Sequence, residues 1–160
     1  MNAEKKVSVI IPAYNEENII SEVLDNLMPL AEANGWELIV VDDGSTDETA
    51  KIASGRNVNV ISHPDNRGYG RSLKTGLAVA SGDIVVIMDS DGQHDHNDIP
   101  RLLDHIDNYD MVVGQRIKGS HSQWTRRPGK WLLGKVANFL TDRKIPDLNS
   151  GLRAYQKDLL

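Results

Sequence analysis

The sequence predicts an α/β domain in which a mostly parallel sheet is covered by helices on both faces. Three observations predict it. Short, apolar, β-branched runs alternate along the chain with segments whose apolar residues recur at helical spacing. The polar clusters fall just after the runs, where open α/β sheets bind ligands. The length, 160 residues, suits one domain with a sizeable core.

The elements follow in order. Val7 to Ile11 reads as the first strand, closed by Pro12. Asn15 is placed to cap a helix from Glu16 to Ala33, with Ile19, Ile20, Val23, Leu24, Leu27 and Leu30 as its apolar stripe. Asn34-Gly35 ends it. Glu37 to Val41 is the second strand, and Ser45-Thr46-Asp47-Glu48 then matches a capping box for a short helix to Ser54. Val58 to Ile61 is the third strand. The loop His63 to Gly68 leads to a helix over Tyr69 to Ala80, and Gly82-Asp83 turns the chain into a fourth strand, Ile84 to Met88. Asn97 or Asp98 begins a further helix through Ile106, and Met111 to Val113 is the fifth strand, followed by Gly114-Gln115-Arg116.

Bulk composition narrows the function. The net charge of -5 argues against a nucleic-acid partner. The absence of cysteine excludes disulfides and thiolate metal sites and suits a reducing compartment. The run Val7 to Ile11 is too short for a signal peptide. No stretch reaches the roughly 20 apolar residues of a membrane span. The chain stops at Leu160 without a turn or cap signal, so the expectation is a single domain over residues 1–160 that is truncated at its C-terminus.

The polar clusters suggest chemistry. Asp89 and Asp91 follow the fourth strand one residue apart, with Gln93 two further on. Carboxylates at a buried strand end are costly unless compensated, and a hard divalent ion shared with a diphosphate compensates them. Gln93 offers a neutral third ligand, and His94 and His96 are alternatives for a softer metal, against a plain acidic turn with polar neighbours. Glycine cradles are missing: Pro-Ala-Tyr-Asn-Glu-Glu follows the first strand, and Leu73 breaks the pattern begun by Gly68-Tyr69-Gly70. Asp42 and Asp43 are placed to accept hydrogen bonds from a base or ribose, and Tyr14 to stack on a base. Arg116, Arg126, Arg127 and Arg153 are the candidate phosphate-binding cations. Trp131, Leu132, Leu133, Val136, Phe139 and Leu140 form an apolar stripe flanked by basic residues, which suits either a membrane interface or the core.

The strings Val9-Ile10-Ile11-Pro12-Ala13-Tyr14-Asn15-Glu16, Val40-Val41-Asp42-Asp43-Gly44-Ser45-Thr46-Asp47 and Met88-Asp89-Ser90-Asp91-Gly92-Gln93 closely resemble glycosyltransferase family 2. Asn149-Ser150-Gly151-Leu152-Arg153-Ala154, with Gly114-Gln115-Arg116, is most similar to its dolichol- or polyprenol-phosphate mannosyltransferase branch, with Leu152 where that family has phenylalanine. The resemblance implies a GT-A fold, a Rossmann-like arrangement, and inverting hexose transfer from a nucleotide sugar of the GDP-mannose or UDP-glucose type. It implies that Pro12, Tyr14, Glu16 and Asp43 line the nucleoside pocket and that Asp89, Asp91 and Gln93 hold Mg²⁺ or Mn²⁺ against the donor diphosphate. It further implies that Arg116 and Arg153 meet phosphates, completing with Asp91 the catalytic set. The segment from Arg126 to Ile145 becomes the acceptor-side element at a membrane surface, with a cytoplasmic location peripheral to that membrane. Members of the family usually continue beyond this length.

The acceptor expected from this resemblance is a lipid phosphate, which is anionic near neutral pH, its second pKa being about 6, and needs no general base. A saccharide acceptor would need one, and Asp147 is the candidate. A non-catalytic nucleotide-sugar-binding fragment is the alternative from another class. Phosphoacceptor receivers and aspartyl phosphatases place their acidic motifs after the first strand, unlike this chain.

Overall fold

The computed structural model describes residues 5–114 and 150–159. The elements are β1 (Val7–Ala13), α1 (Ile20–Asn34), β2 (Glu37–Asp42), α2 (Thr49–Ser54), β3 (Asn59–Ser62), α3 (Tyr69–Val79), β4 (Ile84–Ile87), α4 (Asp98–Ile106), β5 (Met111–Val113) and β6 (Arg153–Gln156), followed by a 3-10 turn. They form one six-stranded sheet in the order β3-β2-β1-β4-β6-β5. β1 is parallel to both β2 and β4, and β2 is parallel to β3. β6 runs antiparallel between β4 and β5.

Residue parity on the strands divides the core in two. Val7, Val9, Ile11 and Ala13 face α1, α2 and α4, packing with Leu24, Leu27, Ala53, Ile99 and Ile106. Ile10, Ile39, Val41, Val85 and Ile87 face α3 and its Leu73 and Leu77. The central strands are apolar apart from Ser8 on β1 and the end residues Glu37 and Asp42 of β2, because both of their faces are covered. α3 lies close: a Cβ at Gly76 would stand 2.5 Å from Ile10 Cγ2.

Several boundaries differ from the sequence reading. β1 passes through Pro12 and ends at Ala13. Alternate residues of a parallel strand address alternate neighbours. Ala13 O accepts from Asp43 N on the β2 side and Ile10 O from Met88 N on the β4 side, so Pro12, in phase with Ile10, faces β4. β4 pairs with β1 only as far as Ile10 and Ile87, so the missing N–H of Pro12 deprives no strand of a partner. α1 begins at Ile20 rather than Glu16: Glu16 O accepts from Ile19 N and Ile20 N in a tight turn. Asn15 does not cap it; its φ is 55° and its side-chain Oδ1 accepts from Thr46 N at 2.9 Å. The capping box is not formed either, since Asp47 Oδ1 takes the Thr49 N–H at the start of α2 while Ser45 Oγ accepts from Asn15 N. Gly35, at φ 66°, ends α1 as expected. β6 was not foreseen as a strand: its four residues alternate Arg-Ala-Tyr-Gln, with only Ala154 fully buried, and carry little apolar signal.

Candidate active site

The carboxyl ends of β1, β2 and β4 open onto one cleft of about 340 Å³. Pro12, Ala13, Tyr14, Glu16, Asp43, Asp89, Ser90 and Asp91 line it, together with Asn66, Gly68, Tyr69 and Ser72 from the start of α3 and the loop before it. The cleft exists because β1 and β4 part. β1 continues to Ala13 beside β2, while β4 has ended at the level of Ile10. Buried Ser90 closes the base of the gap, its hydroxyl donating to Pro12 O at 2.9 Å.

On the β2 side, Asp43 is 4% exposed and holds the loop that enters α3. Its Oδ1 accepts from Arg67 N at 3.0 Å and its Oδ2 from Gly68 N at 2.7 Å. His63 Nδ1 lies 2.6 Å from the same Oδ1, and His63 Nε2 lies 2.9 Å from Thr75 Oγ1. A carboxylate only accepts, so Nδ1 donates to Asp43 in this contact, while Nε2 pairs with the Thr75 hydroxyl. Burial disfavours the Asp43 charge, but the hydrogen bonds from His63, Arg67, Gly68 and Ser72 outweigh it and hold the carboxyl below the ordinary range. Gly44 follows at φ 71°, where a side chain would overlap the backbone of Asp65.

On the β4 side, Asp89 sits between two groups. Tyr69 Oη donates to its Oδ1 at 2.9 Å. Gly151 stands against the carboxylate so closely that a Cβ there would overlap it, and Gly151 O accepts from Asp89 N at 3.2 Å. Asp91 is exposed and accepts from Gln93 N at 3.0 Å. Partial burial and the neighbouring Asp89 push the Tyr69 hydroxyl well above its ordinary value, so it stays a donor. Glu16 faces the same acidic group: burial, then Asp91, Asp47 and Asp89, raise its carboxyl above the usual 4.5.

The third wall is the loop after β1, which is stitched to the loop after β2. Asn15 N donates to Ser45 Oγ, Glu16 N to Thr49 Oγ1 at 2.8 Å, and Glu17 N to Asp47 Oδ2. In return Glu48 N donates to Glu17 Oε2. These bonds hold Glu16 over the cleft and leave the Tyr14 ring 44% exposed beside it.

The structure therefore brings together Pro12, Tyr14, Glu16, Asp43, Asp89 and Asp91. Gln93 is adjacent through its backbone bond to Asp91 but is not in the lining. Arg153 lies on β6 opposite Ile87, its Nε donating to Ser150 O at 2.7 Å, near enough for its charge to oppose the rise at Tyr69. Asp42 is buried and accepts from Ser45 N. His94 and His96 flank a small pocket behind Asp89. Arg116, Arg126, Arg127, Asp147 and the stripe from Trp131 to Leu140 lie outside the described residues.

The residues fit a divalent cation: two carboxylates open to one cleft beside a third, Glu16, whose proton is held by burial and by their charges. Among the described residues no three acidic or histidine side chains form a metal cage. Sequence reasoning missed Tyr69, Asn66 and Ser72. Their loop follows β3 and so opens on the same edge as the other clusters, which was the available signal.

The sequence profile described as Glycosyl transferase family 2 matches residues 8–160. UDP-N-acetylglucosamine--dolichyl-phosphate N-acetylglucosaminyltransferase of Methanococcus voltae is 35% identical over 99% of this chain and 72% of its own length. Undecaprenyl-phosphate 4-deoxy-4-formamido-L-arabinose transferase of Proteus mirabilis is 33% identical over 97% of this chain and 50% of its own. Glucosyl-3-phosphoglycerate synthase of Mycobacterium tuberculosis, crystallised with Mn²⁺, UDP-glucose and phosphoglyceric acid, superimposes with a TM-score of 0.76 at 30% identity, covering 98% of this chain and 58% of that one. This chain thus spans roughly half to three quarters of the length of these relatives.

Proposed function

This chain belongs to glycosyl transferase family 2 and has its GT-A fold, and on that premise we propose that it transfers a hexose, with inversion, from a nucleotide sugar to a polyprenol phosphate. The observation that carries the reading is the meeting of Asp43, Asp89 and Asp91 in one cleft at the carboxyl edge of the sheet. The two relatives named for dolichyl- and undecaprenyl-phosphate acceptors support the choice of acceptor.

In this reading the nucleoside lies on the β2 side, between the exposed ring of Tyr14 and the wall that Asp43 anchors, with Pro12 and Glu16 beside it. Asp89 and Asp91 hold Mg²⁺ or Mn²⁺, with Gln93 near. An ion held there would supply positive charge next to the donor diphosphate. Arg153 and Arg116 contribute further positive charge toward phosphate groups, and no residue has to remove a proton from an acceptor that is already anionic. The protein works peripherally at the cytoplasmic face of a membrane, where such an acceptor is presented; among the described residues no helix is long and apolar enough to cross one.

A second reading, a small phosphorylated acid as acceptor, is favoured by the likeness to the synthase crystallised with phosphoglyceric acid. Radiolabelled UDP- and GDP-sugars, offered with polyprenol phosphate, phosphoglycerate or an oligosaccharide, separate these outcomes. The proposal expects label in the lipid fraction, and none with Asp91→Ala or after chelation. Label on phosphoglycerate alone selects the second reading. Full transfer by an Asp89→Ala, Asp91→Ala double variant ends both.

A further inference from the structure

Resting on the metal-site reading above, we propose that Tyr69 is a positioning residue for Asp89. Its hydroxyl orients the carboxylate toward the cation and ties that carboxylate to the loop anchored on Asp43. Tyr69 opens α3, and its ring is 48% exposed, so the core gains little from it. Its hydroxyl is spent instead on Asp89 Oδ1 at 2.9 Å. The residue before it, Gly68, donates its N–H to Asp43 Oδ2 at 2.7 Å. Two consecutive residues thus hold the two carboxylates on opposite walls of the cleft. Opposite Tyr69, Gly151 leaves the carboxylate no room for a side chain beside it.

A carboxylate offers about four acceptor sites. The Tyr69 hydroxyl takes one and leaves the others available to a cation, while limiting rotation of the Asp89 side chain. Hydrogen-bond partners of metal ligands act in this way, and their loss typically costs about 10–100-fold in metal affinity or activity. An exposed stacking platform or a simple helix-start residue has no need of the hydroxyl.

The test is Mn²⁺ titration of the full chain with UDP or GDP at saturation, reading free Mn²⁺ by electron paramagnetic resonance for wild type, Y69F and D89A. D89A is expected to lose the site, and Y69F to bind Mn²⁺ about 10-fold or more weakly with an unchanged metal-free melting temperature. Y69F matching wild type while D89A loses Mn²⁺ overturns the inference and leaves the metal site standing. D89A binding like wild type, or wild type not binding at all, overturns both. Weaker binding by Y69F together with a lower metal-free melting temperature assigns the hydroxyl to folding and overturns the role given to it here.

Discussion

Glu16 holds its proton more tightly than usual, through burial and the charges of Asp91, Asp47 and Asp89. A carboxyl raised in the folded state contributes stability while protonated and loses it as pH rises through the raised value. At neutral pH the ionised group is therefore a net cost. Glu16→Gln is expected to raise the melting temperature at pH 7, with the gain closing as pH falls below 4.5, its ordinary value, in a series of thermal melts. Saturating Mn²⁺ supplies the missing positive charge, so the gain should also shrink there. Gly151 carries the opposite lesson. A methyl group at this position overlaps the Asp89 carboxylate, and Gly151→Ala is expected to lower stability by about 1–3 kcal/mol in urea unfolding. The same change should weaken Mn²⁺ binding. Both effects come from neighbours that a motif does not display: Asp-x-Asp is visible in the sequence, but the glycine that makes room for it lies 62 positions away.

Asp43 joins two elements. It ends β2, and its carboxylate accepts the N–H groups of Arg67 and Gly68 just before α3, where the helix dipole also favours a negative charge. Its pKa is depressed, so its contribution to stability is full above the ordinary value of 3.8 and is lost as pH falls through the lower folded value. Asp43→Asn is expected to cost about 1–3 kcal/mol at pH 7, because an amide nitrogen replaces one of the two oxygens that accept from His63, Arg67, Gly68 and Ser72. The difference from wild type should close below 3.8, as measured by denaturation across that range. The sequence placed β2, β4 and α4 within a residue or so because buried runs and amphipathic stripes declare themselves through their period. It misplaced the start of α1 and the cap of α2 because Asn15 and the Ser45 to Glu48 string have the composition of helix caps. Here they spend their hydrogen bonds on each other across two loops. Such pairing between distant loops has no local signature. β6 escaped for a related reason: a short strand supported on both edges by β4 and β5 needs no strong propensity of its own.

For the molecule as a whole, ligand binding and folding are linked. On the proposed function, Mn²⁺ with a nucleoside diphosphate at about 100 times its Kd is expected to stabilise the fold by about 2.7 kcal/mol, which for a chain of this size is a rise of several degrees in melting temperature. The rise should vanish with a chelator and be absent in Asp89→Ala, as read by differential scanning fluorimetry. The site was legible to the extent that its side chains follow strand ends, since the direction of a parallel sheet gathers those ends at one edge. Pro12, Tyr14, Glu16, Asp43, Asp89 and Asp91 were found that way. Tyr69 was not, because it belongs to a helix start and reaches the site sideways. The parting of β1 from β4 beyond Ile10 has a consequence for how such a crevice can diversify. Across that gap the Ser90 hydroxyl latches the Pro12 peptide carbonyl, and no codon change can remove a carbonyl. On the proposed function, tuning for a new sugar would therefore fall to the side chains of the walls, while the notch between the two ribbons keeps its shape.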